Sequence, residues 1–243
     1  MEKTLLETHR DLNIPGLHRR RVDVWLPETY QTNPDLSFPV LYMQDGQTVF
    51  DNWKRGNGGW EVNRTISRLA MEEKIFPPIV VAISSTLNRA GDYLPAKAID
   101  ANNPPASSAS NTLNGQRQTR ELVSDRYLEW MVTTLKPAID ARYRTLRDAQ
   151  NTALMGSSMG GLISLYAYCE YPEIYGKAAC LSTHWTALGS GMLAYLEAHL
   201  PPPDQHRLYF DYGSEGLDKD YEPWQTKVDA LLRQKGYREG KEF

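Results

Sequence analysis

Gly156-Ser157-Ser158-Met159-Gly160-Gly161 spells G-x-S-x-G around Ser158. A short apolar run, Thr152 to Met155, leads into it, and Leu162-Ile163-Ser164-Leu165-Tyr166-Ala167 leads out. That order is strand, sharp turn, helix. A serine on such a turn has its hydroxyl lifted out of the sheet, and glycines flank it because side chains there would clash. The following helix points its positive end at the same spot, which favours a developing negative charge. An ordinary tight strand-to-helix connection would need small residues too; the strand before and the helix after favour the chemical reading.

Strands and helices alternate outward from this turn. Val22, Val24 and Leu26 recur at period two, a strand signature, after a short edge strand around Thr4 to Thr8. Phe38 to Met43 reads as a more buried strand and Ile79 to Ile83 as a central one. Between them, Val62, Ile66, Leu69 and Ala70 keep helical spacing. Downstream, Ser124 can cap a helix with Leu128, Met131, Val132, Leu135 and Ile139 on one face, kinked by Pro137. Strands are expected at Ala178 to Ser182 and Leu208 to Tyr212, with helices at 190–199 and 221–234, the last closed by Gly236. This alternation predicts an α/β fold, a mostly parallel twisted sheet with helices on both faces. Ligands in such sheets bind at the carboxyl ends of the strands.

The length, 243 residues, suits a single α/β domain over 1–243 with a full core. A net charge of −3 leaves no basic field for nucleic acid. No apolar run reaches the length of a membrane span, and Met1 to Glu7 lack the apolar stretch of a signal peptide, so cytoplasm is the default location. Cys169 and Cys180 make no disulfide framework, and the five histidines are scattered without metal-ligand spacing. No metal is expected.

Two further segments bear on chemistry. Gln44-Asp45-Gly46-Gln47 ends a strand in a glycine turn, which leaves backbone N–H groups facing outward. If Ser158 is a nucleophile, the Gln47 and Met159 N–H groups would form an oxyanion hole; a plain β-turn fits the same residues. Residues 96–119 are small, polar and aperiodic, either a flexible flap over the site or a solvated insertion.

The order of these pieces looks like an α/β-hydrolase. More narrowly it resembles the putative-esterase family of enterochelin esterases, feruloyl and acetyl-xylan type esterases and S-formylglutathione hydrolase. Val22 to Pro27, Tyr42 to Gln47, Arg89 to Pro95, Met155 to Gly161 and Phe210 to Glu215 carry the resemblance. It implies a serine esterase with no organic cofactor, acting on a small-molecule ester. Ser158 would attack the ester carbonyl and form an acyl-enzyme, with Met159 and Gln47 holding the oxyanion. Two carboxylates compete as the triad acid, Asp218 and Glu215. Asp218 is preferred because the family's acid lies just before the helix that here contains Trp224 and Val228. Trp60, Trp185 and Arg89 are candidate substrate-binding residues; each tryptophan could equally be core.

The resemblance breaks at one point. The family's triad runs Ser, acid, His, yet no histidine follows Asp218 before Lys241-Glu242-Phe243. Against ordinary element lengths, the sequence looks like an esterase that stops roughly 30 residues early, without its last strand, its catalytic His and its closing helix. His184 is the one histidine at the right end of the sheet; base, pocket residue and structural hydrogen-bonder all stay open. An acyltransferase on the same scaffold and a non-catalytic binding domain are the alternatives. A missing last strand would bare the edge of 208–212, so self-association is expected.

Overall fold

Ile79–Ile83 is five consecutive apolar residues, and all five are buried. A strand with apolar side chains on both faces must be covered on both faces, and helices do this here. The computed structural model describes residues 5–12, 16–50, 59–99, 111–113, 116–118 and 121–243. In chain order the first half runs β1 (Leu5–His9), β2 (Val22–Leu26), α1 (Glu28–Thr32), β3 (Val40–Gln44), α2 (Val62–Met71), β4 (Ile79–Ile83) and α3 (Arg89–Tyr93). A small hairpin of β5 (Asn111–Leu113) and β6 (Gln116–Gln118) follows. The second half is α4 (Ser124–Trp130), α5 (Lys136–Arg142), β7 (Thr152–Ser157), α6 (Met159–Glu170), β8 (Lys177–Leu181), α7 (Ser190–His199), β9 (Arg207–Asp211) and α8 (Glu222–Gln234).

The seven-stranded sheet has the order β1-β2-β4-β3-β7-β8-β9. β1 and β2 are antiparallel, as are β2 and β4; all later pairs are parallel. The expected mostly parallel α/β sheet is therefore present. β3 lies beside β7, with Met43 opposite Met155. That adjacency brings two turns distant in sequence, after Gln44 and after Ser157, to one end of the sheet. The ends of β8 and β9 follow on the same side, with Leu181 opposite Asp211. No helix among the described residues is long and apolar enough to cross a membrane.

Some local expectations shift. The kink at Pro137 takes the form of a π-helical turn, Met131–Leu135, just before α5. Proline lacks the N–H that would close the preceding turn, and a wider turn accommodates the loss. Arg89–Tyr93 is helical, which its Gly-containing sequence did not signal. β9 is the outer strand of the described sheet, but its edge is less bare than expected. The Leu208 N–H donates to the Glu242 carbonyl at 2.7 Å. Much of the flap expected over 96–119 lies outside the described residues, as does most of the loop 51–59. The described parts of the former are a 3-10 turn at Ala96–Ala98 and the β5–β6 hairpin.

Candidate active site

β7 ends at Ser157 and α6 begins at Met159, so Ser158 alone makes the turn. Its backbone sits at φ 59 and ψ −120, a region that costs a non-glycine residue about 1–3 kcal/mol. The glycines around it are sterically required. A Cβ on Gly156 would stand 2.3 Å from the Gly160 carbonyl oxygen, so the strand and helix could not pass this close. Gly156→Ala is expected to cost the upper part of the ~1–3 kcal/mol typical of overpacking, because the obstacle is backbone. For a chain of this size that lowers Tm by roughly 5–10 °C; a thermal melt followed by circular dichroism checks it.

The Gly161 and Leu162 N–H groups donate to the Ser158 carbonyl at 3.1 and 3.2 Å. Ahead of them in the first turn of α6, the Met159 N–H has no intrahelical acceptor. Across the gap, the turn after β3 is a 3-10 helix, Gly46–Thr48, entered through Asp45 at φ 54 and ψ 46. The Thr48 N–H turns back to the Asp45 carbonyl at 2.9 Å, and Gln47, one residue earlier, lines the cleft. Gly46 is forced here, since a Cβ would lie 2.5 Å from the Ala82 backbone. Ser158, Gln47, Asp45, Arg89 and Trp60 line one open cleft of about 320 Å³.

The Ser158 hydroxyl neighbours the phenol of Tyr221. The Tyr221 hydroxyl in turn lies 2.7 Å from His184 Nδ1. The His184 backbone N–H donates to the Ser158 carbonyl at 3.2 Å, which ties the histidine to the same turn. Burial, and then the Arg89 guanidinium, hold His184 below its usual value, so the ring favours its neutral form. Burial, helped by the Asp218 carboxylate, pushes the Tyr221 phenol above its ordinary value, and it stays protonated.

The other predicted site residues fare unequally. Trp60 lines the cleft and is 41 % exposed, with its backbone N–H donating to the Thr48 carbonyl at 2.8 Å. Trp185 is not a pocket wall: it is 2 % exposed, packs near Phe210 and donates from Nε1 to Gln225 at 3.0 Å. α8 covers this position, so the indole went to the core. Arg89 reaches the cleft but spends two of its nitrogens on Asp45, at 2.7 Å each. Asp218 accepts from Ser182 Oγ at 2.6 Å and from the Gly213 N–H at 2.8 Å. Glu215 is exposed, and its carbonyl takes the Asp218 N–H at 3.2 Å. Neither carboxylate hydrogen-bonds a histidine among the described residues. Asp211 ends β9 and accepts the Ser182 N–H at 3.0 Å. Sequence reasoning missed Tyr221; it stood only as the first residue of a helix.

The family model described as "Putative esterase" matches residues 17–242. The chain belongs to the putative esterase family. Among curated relatives, it is 26 % identical over 226 residues to the uncharacterized protein YbbA of Bacillus subtilis, covering 90 % of this chain and 80 % of that one. It is 27 % identical over 186 residues to the apo-salmochelin esterase of Escherichia coli, covering 75 % of this chain. The chain spans only about half of that esterase's length, 53 %. The crystal structure of an IroE-like serine hydrolase from Shewanella oneidensis superposes with a TM-score of 0.66 at 20 % identity, over 95 % of this chain and 70 % of that one. The shared fold is that of the α/β-hydrolase-like esterases, and family and neighbours together support an ester hydrolase.

Proposed function

We propose that the chain hydrolyses carboxylic esters with Ser158 as nucleophile, through an acyl-enzyme. The observation that carries this reading is the strained elbow at Ser158, which opens onto the cleft that Gln47 also lines. Such strain in a non-glycine residue persists where the surroundings over-determine it, and it collects at reactive sites. The Met159 and Gln47 N–H groups would stabilise the oxyanion.

Serine needs a base within reach. Within these residues the route runs through Tyr221 to His184. As Ser158 Oγ bonds to the acyl carbon, its proton passes to the Tyr221 oxygen, and the Tyr221 proton passes to His184 Nδ1. The bond from the acyl carbon to the alkoxide oxygen then breaks, that oxygen takes the Tyr221 proton as His184 Nδ1 returns its own to Tyr221, and the alcohol leaves. Water then repeats the cycle on the acyl-enzyme and frees the acid. Asp218 sits beside Tyr221 and braces the loop after β9 through Ser182 and Gly213.

The ester itself is a wider question. Similarity to an apo-salmochelin esterase makes apo-salmochelin one substrate to assay beside short acyl esters. A non-catalytic binding domain is the second reading, favoured by the lack of a carboxylate bonded to any described histidine. A fluorophosphonate probe separates the two. Stoichiometric labelling at Ser158, located by peptide mass spectrometry and abolished in Ser158→Ala, is the result expected. No labelling of a folded protein would leave the binding-domain reading.

A further inference from the structure

Asp45 is a non-glycine residue in the left-handed region, immediately before Gly46 and two residues before Gln47. Its conformation therefore decides where the Gln47 N–H points. Six hydrogen bonds hold it, one of them from Gln47 Nε2 to Oδ1 at 3.3 Å. Arg89 Nε and Nη2 donate one to each carboxylate oxygen, both at 2.7 Å. One turn further along α3, the Tyr93 hydroxyl accepts the Asp45 N–H at 3.1 Å. The Thr48 N–H and Oγ both donate to the Asp45 carbonyl at 2.9 Å. The Arg89 guanidinium also lies over the Tyr93 ring, 5.2 Å from its centre.

α3 is a firm base for this grip. Buried Asp92 accepts from Arg20 at 3.2 Å and from Thr86 at 2.6 Å. Arg20 stacks on the Tyr127 ring at 4.4 Å. On the far side, the Gln47 side chain is fastened at both ends to Ser85. The turn is thus clamped from two directions.

Charge gives a second, independent reason. The Asp45 carboxylate presses against the start of α6, where a Cβ on Gly160 would stand 3.3 Å from Oδ2. An uncompensated carboxylate this near the start of α6 would oppose a developing oxyanion there. The Arg89 fork neutralises it.

We infer that Arg89 and Tyr93 are positioning residues of the oxyanion turn, and that Arg89 holds and neutralises Asp45 rather than receiving charge from the substrate. This inference rests on the serine-hydrolase reading above. The test measures kcat and KM for p-nitrophenyl butyrate with the full chain, R89Q, D45N and the R89Q/D45N double variant. R89Q is expected to lower kcat by about 10- to 100-fold with KM within about twofold, less than the loss of a whole oxyanion donor. The double variant should regain at least about fivefold of that kcat, because the bare carboxylate is gone. Raised KM with unchanged kcat in R89Q would make Arg89 a substrate ligand and overturn the inference; so would the absence of rescue. If R89Q loses its cooperative melt, R89K serves instead. It keeps the charge but not the two-pronged geometry, and lower kcat at unchanged KM is again expected. Ser158→Ala in the same assay keeps the failures apart: a wild type no faster than Ser158→Ala defeats the hydrolase reading, not this assignment.

Discussion

Ser158→Ala is expected to lower p-nitrophenyl butyrate hydrolysis on the order of 10⁴- to 10⁶-fold. The substitution deletes the one oxygen that can bond to the acyl carbon. It leaves the elbow's neighbours in place: Gly156 still passes under Gly160, and the Met159 N–H still opens α6. What activity survives would come from the oxyanion donors and binding alone. The variant should also keep its thermal transition, since alanine at this position meets the same backbone constraint as serine. Equal rates in the two proteins would mean that no base reaches Ser158 within this chain, and the binding-domain reading would replace the enzymatic one.

Tyr221→Phe is expected to lower kcat by about 10²- to 10⁴-fold, the range associated with general acid–base catalysis. Phenylalanine keeps the buried ring and its edge contact with His184, at 5.9 Å between centres, and removes only the hydroxyl that bonds Nδ1 and neighbours Ser158. The loss would therefore report on proton transfer rather than packing. A pH profile gives the sign. His184 must be neutral to accept a proton, so the wild-type rate should fall as pH falls. Burial and Arg89 hold His184 below its usual value, so the midpoint should lie under the ordinary histidine value of about 6.5. That acid limb should vanish from whatever rate remains in Tyr221→Phe. A Tyr221→Phe variant as fast as wild type would overturn the relay and leave His184 as a pocket residue.

Much of the molecule could be read along the chain because its causes are local. The five-residue apolar run 79–83 can only be a strand covered on both faces, and it is. The G-x-S-x-G turn announces itself because the clash that demands Gly156 comes from Gly160, four residues away. The Asp-Gly turn at 45–46 is partly local in the same way: its hydrogen bond closes from Thr48 to Asp45. From such signals follow the strand order in time, the nucleophile candidate and the side of the sheet that carries it.

Partnership across the sheet was decided only in three dimensions. Trp185 could have been a pocket wall, and nothing beside it in sequence says otherwise; Gln225 on α8 supplies the acceptor that draws it inward. Arg89 reads as a substrate-binding candidate until the neighbouring ends of β3 and β4 bring Asp45 within 2.7 Å of it. His184 and Tyr221 are 37 residues apart, and they meet because β8 and β9 lie side by side and end at the same level. Sequence determined which backbone shapes and which reactive side chains this protein has, since those depend on a residue and its near neighbours. Which of them share a proton or a charge depends on sheet order, and only the folded chain brings those ends together.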